Sequence, residues 1–114
     1  MVIFNQPKGG MLVNSSCKAL EKRHLKNPIS VQFNESPLDF EKAKGLAMDI
    51  AKKRSEDPML LAWYDKKAAR FSPSVECCDQ EKPSWLVYAE SRGADIIVEI
   101  NDLEYVFAFC GSTM

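Results

Sequence analysis

The sequence predicts an α+β fold, with one long helix packed on an antiparallel sheet of four or five strands. Three observations predict it. Towards the C-terminus, β-branched and aromatic residues alternate with polar ones over residues 85–90, 95–100 and 104–109, and turn residues separate the runs. Hairpins around Arg92-Gly93 and Asp102-Leu103 then agree on which side chains share a face. The first sets Ala89 opposite Ile96, Val87 opposite Val98 and Trp85 opposite Ile100. The second sets Ile100 opposite Tyr105, Val98 opposite Phe107 and Ile96 opposite Phe109. Finally, one stretch beginning at Ser36 repeats apolar residues with a helical period.

Taken in order, residues 1–28 have little periodicity and contain Lys8-Gly9-Gly10, Asn14-Ser15-Ser16 and Asn27-Pro28. They carry five basic side chains against Glu21 alone, while residues 29–114 carry ten basic and fifteen acidic ones. The expected organisation is a basic, loosely ordered extension over 1–28 and a single α+β domain over 29–114. Ile29, Val31 and Phe33 alternate with polar neighbours, so 29–34 reads as a strand.

Ser36 is a natural N-cap, Pro37 suits the first helical position, and Asp39 completes a capping box. Phe40, Ala43, Leu46, Ala47, Ile50 and Ala51 fall on one side of the helix that follows. Acidic Asp39 and Glu41 near its start and basic Lys52, Lys53 and Arg54 near its end suit the helix dipole, and the helix should stop near Ser55. Residues 59–65 form an apolar strand, 66–69 a turn and 70–72 a short return. Residues 72–84 have no periodicity, and loops of that length are often functional.

Composition places the chain among ordinary soluble proteins, with 46% hydrophobic and 27% charged residues in 114. No apolar run approaches the ~20 residues of a membrane span, and the opening MVIFNQPKGG lacks the pattern of an export signal. The expectation is a cytoplasmic protein, with no membrane association and with the four cysteines reduced. Without aromatic interleaving, the basic extension does not make nucleic acid an expected partner.

The strings PMLLAWYD, RFSPSVECC and WLVYAESRGADIIVEINDLEYVF resemble those of a small family of conserved prokaryotic proteins of unknown function. The resemblance covers roughly residues 36–110. It implies a cytoplasmic α+β protein that associates with itself, and it assigns no catalytic residue.

Chemistry-bearing residues are few. Cys77 and Cys78 in the aperiodic segment are candidate thiols for redox or sulfur transfer, although Glu76 and Asp79 beside them disfavour a thiolate. Metal binding has no C-x-x-C or H-x-x-x-H spacing behind it, and the one histidine is His24, so no metal or other cofactor is expected. On the sheet face away from the helix, Glu90 opposes Asp95, with Cys110 opposite Asp95 on the next strand if that strand extends so far. Like charges so placed call for a cation or a base such as Arg92 or Arg70 between them.

The same face carries Leu86, Tyr88, Ile97, Val106 and Ala108, too apolar for open solvent. Either it is a dimer or ligand interface, or the N-terminal arm or the strand from Ile29 covers it. The function so read is a small binding or interaction protein that self-associates through this face as a homodimer. The alternative is a thiol protein using Cys77 and Cys78. Hydrolysis or group transfer through Glu90 and Asp95 as a carboxylate pair ranks below both, and no substrate or small-molecule ligand can be named.

Overall fold

The computed structural model describes residues 20–34, 38–74 and 82–111. In chain order it contains β1 (Ile29–Val31), α1 (Phe40–Lys52), β2 (Met59–Asp65), β3 (Arg70–Ser72), α2 (Ser84–Ser91), β4 (Ile96–Ile100) and β5 (Tyr105–Cys110). The strands form one sheet in the order β1-β4-β5-β2-β3. The class is α+β, as expected, but the sheet is mixed. β1 runs parallel to β4, with Ile29 beside Val98 and Val31 beside Ile100, while the other pairings are antiparallel.

The β4–β5 hairpin has the register read from the sequence. Ile96 faces Phe109, Val98 faces Phe107 and Ile100 faces Tyr105. These six side chains form one buried face, and Ala43, Ala47 and Ala51 of α1 are fully buried against it. Small alanines let the helix approach the sheet closely, while Phe40, Leu46 and Ile50 flank them. The helix begins later than Ser36 suggests. Asp39 is the N-cap, its side chain accepting from the Lys42 N–H at 2.9 Å. Ser36 and Pro37 lie outside the described residues.

The largest departure is residues 85–90, which form helix and not strand. Two physical reasons decide this. Both edges of β4 are occupied, one by β1 and the other by β5, so no edge remains for a hairpin partner. Trp85, Leu86 and Ala89 fall on one side of a helix, where all three are buried. Arg92-Gly93, read as a hairpin turn, instead closes α2. Gly93 has φ +90°, its N–H donates to the Glu90 carbonyl, and the Ala94 N–H reaches back to Ala89. That is the Schellman arrangement, in which a left-handed residue after the helix satisfies its last carbonyls.

The sheet therefore has a helix on each face. Beneath α2, a second core joins Trp85, Leu86 and Ala89 to Ile97, Val106, Ala108 and Ala62. The Tyr64 ring stacks on Trp85 at 5.5 Å between centroids, with the planes 6° apart. Leu20 and Leu25 pack against the same core, and His24, in the 3₁₀ turn Lys22–His24, is buried beside them.

Candidate functional site

Two loops meet at the end of the sheet where β2 and β4 finish and β3 and β5 begin. The first, residues 66–69, is closed by Asp65, whose side chain accepts from the Ala68 N–H at 3.1 Å. The second, residues 101–104, joins β4 to β5. Asn101, Asp102 and Leu103 all have positive φ, at 53°, 58° and 75°. Asn and Asp tolerate that region, but a leucine there is a true outlier, and each such residue costs about 1 to 2 kcal/mol.

Several hydrogen bonds hold the second loop in this conformation. Asn101 accepts from the Phe33 N–H at 2.8 Å, and its amide donates to the Phe33 carbonyl at 3.1 Å and to Glu104 at 3.3 Å. The Leu103 N–H donates to Glu99 Oε1 at 3.0 Å, and the Glu104 N–H to the Ile100 carbonyl at 3.0 Å. A further bond, from the Lys66 N–H to the Glu104 carbonyl at 3.0 Å, ties the two loops together. Strain retained against this many constraints is a recurrent mark of ligand sites.

Between the loops lies a cleft of about 410 Å³, lined by Lys66, Lys67, Asn101, Asp102 and Glu104. Its carboxylates are engaged. Asp102 accepts from Lys22 Nζ at 2.8 Å, while Glu104 accepts from Asn101 and lies 3.8 Å from Lys67 Nζ. Lys66 forms no close ion pair among the described residues, although, after the hydrogen bond from Lys22, its charge helps to hold the Asp102 carboxyl low, and it and the largely exposed Lys67 are the basic groups that line the cleft. Behind Asp102, Glu99 is 1% exposed and sits 3.4 Å from Lys22 Nζ. The hydrogen bond between Lys22 and Asp102 raises the ammonium above the ordinary lysine range and lowers the carboxyl below the ordinary carboxylate range.

The residues singled out from sequence lie elsewhere. Leu86, Ile97, Val106 and Ala108 are buried within this chain, covered by α2 or part of it, and Tyr88 is half-buried with Arg92 over its ring at 4.9 Å. Glu90 does not face Asp95 across a ladder. It receives Lys82 Nζ on both oxygens at 2.9 Å, and Asp95 accepts from the Gly111 N–H at 2.7 Å. Arg70 lies 4.0 Å from Asp65 and stacks over Trp63. Cys110 ends β5, half-buried and outside any disulfide. Cys77 and Cys78 lie outside the described residues.

Sequence reasoning passed over the cleft residues because lysines in a turn and an Asn-Asp pair look like ordinary solvated loops. The available signal was Asn101-Asp102 itself, a pair suited to left-handed backbone, followed by a leucine that is not. Among the described residues, no group of three or more His, Cys, Asp or Glu is placed to hold a metal. No helix among them is long and apolar enough to cross a membrane.

A family described as a domain of unknown function (DUF5619) matches residues 26–109. The chain belongs to the DUF5619 family. The resemblance read from the sequence strings, to a small conserved family of unknown function, is thus correct. An uncharacterized protein of Archaeoglobus fulgidus is 38% identical over 73 residues, which are 64% of this chain and 77% of that protein. A crystal structure of a protein from Archaeoglobus fulgidus matches with a TM-score of 0.65 at 30% identity, covering 78% of this chain and 98% of that one. Every residue lining the cleft falls within the DUF5619 region, whereas Lys22 precedes it.

Proposed function

We propose that this DUF5619 protein binds a small polyanion, a carboxylate or phosphate compound, in the cleft between residues 66–69 and 101–104. The observation that carries the reading is the charge state of the cleft. Both carboxylates on its walls already have basic or amide partners, while Lys66 forms no close ion pair among the described residues and reaches Asp102 only through its field. A polyanion would complete the pairing, and a neutral or cationic ligand would not. The loops are joined and held before any ligand arrives, so little ordering entropy opposes binding.

Binding is the simpler reading because the lysines among the described cleft residues are placed to pair with charge, and no histidine, thiol or hydroxyl accompanies them there. Self-association through Leu86, Ile97, Val106 and Ala108 is not part of this reading, since those side chains already fill the core beneath α2. The thiol alternative rests on Cys77 and Cys78, and nothing in the described fold adds to it.

Calorimetric titration with citrate and with inorganic phosphate at low ionic strength tests the proposal. The expected result is saturable binding of at least one of the two, weakened about tenfold or more when Lys66 and Lys67 are both changed to Ala. Absence of binding, or equal binding by the double variant, would overturn it.

A further inference from the structure

Resting on that reading of the cleft, we propose that residues 20–25 form a regulatory strap whose Lys22 sets the affinity of the cleft for its anion. The strap is docked at two kinds of contact. Leu25 is buried in the second core with Leu20 packed beside it, and His24 is 3% exposed, its Nδ1 accepting from the Glu21 N–H at 3.0 Å. The polar contact is Lys22, half-exposed, which spans Glu99 and Asp102 at 3.4 and 2.8 Å.

Asp102 thus has two roles. It is the latch for the strap and a wall of the cleft. With Lys22 in place its charge is balanced, and the cleft presents Lys66 and Lys67 to an anion. With the strap lifted, Asp102 and Glu99 behind it lose the ammonium they share, Asp102 keeps only the more distant Lys66, and their field opposes the same anion. Coupling of this kind is reciprocal, so an anion in the cleft must also hold the strap down.

The strap is placed to serve as a switch. It precedes the region matched to DUF5619, which begins at residue 26, while the residues lining the cleft lie within that region. It is held by Leu20 and Leu25 against the second core, a single turn of 3₁₀ helix and one bridging lysine, with no sheet ladder, and a segment without a ladder opens at lower free energy than the central strands. A partner or modification that removed the charge of Lys22 would lower anion affinity without touching the cleft.

The test uses the full chain as wild type, Lys22→Met, Asp102→Asn and the double variant, with two readouts. Citrate affinity is measured by calorimetry, and strap opening by the rate of tryptic cleavage after Arg23. Lys22→Met is expected to weaken citrate binding about fivefold or more and to speed cleavage, and citrate is expected to slow cleavage of the wild type. Adding Asp102→Asn to Lys22→Met should restore most of the affinity, because it removes the uncompensated charge.

Citrate affinity unchanged in Lys22→Met would overturn the inference and leave the binding site standing. No citrate binding by the wild type would instead fail the cleft reading. The cleavage rates measured without citrate would then still decide the latch, since equal rates for wild type and Lys22→Met would overturn it too.

Discussion

Asn101 does more than any other single residue to fix the loop end. Its backbone N–H donates to the Val31 carbonyl, its side chain closes both polar groups of Phe33, and its φ of 53° starts the left-handed run. Asn101→Ala removes three side-chain hydrogen bonds and leaves a methyl group in a backbone region that suits Asn better. The expected loss is about 1 to 3 kcal/mol of unfolding free energy, measured by denaturant titration. An unchanged stability would mean that the loop is not held from Asn101. The turn was legible in the sequence, but its size was not. A two-residue loop at Asp102-Leu103 and the four-residue loop observed give the same pairing of Ile100 with Tyr105, so register alone could not tell them apart.

Helix α2 shows where sequence patterning ran out. Trp85 to Glu90 reads as alternating strand, but only Glu90 in it is charged, and in so short and apolar a run helix and strand look alike. The decision came from topology, since β1 takes the edge of β4 that a strand here would have needed, and a parallel pairing between residues so distant leaves no local signal. By contrast, α1 was legible because its apolar stripe runs over three turns, and Phe40, Ala43, Leu46, Ala47, Ile50 and Ala51 all meet the face expected of them. The placement of α2 changes what a charge at Ile97 should do. Ile97→Asp puts an unpaired carboxylate beneath α2, at a position 5% exposed, and should destabilise the fold by about 3 kcal/mol or more. Thermal unfolding at several protein concentrations checks this. A loss independent of concentration is expected, whereas a loss that appears only on dilution would indicate a subunit interface.

Across the whole molecule, two cores back a sheet whose middle strands, β4 and β5, are buried on both faces. Burial of this kind is what lets the exposed end carry strained loops and the lysines of the cleft. The fold class and the central hairpin could be read from local pattern. The cleft could not, because Lys66 and Lys67 meet Asn101, Asp102 and Glu104 only through the pairing of β2 with β5, across some 35 residues of chain. The most direct measurement is a ¹⁵N–¹H NMR titration of the full chain with citrate. Saturable shifts are expected at the amides of residues 66–69 and 101–104, with smaller ones at 22–25, and none in Lys66→Ala/Lys67→Ala. Shifts centred on residues 75–81, or spread without saturation over the surface, would contradict anion binding in the cleft.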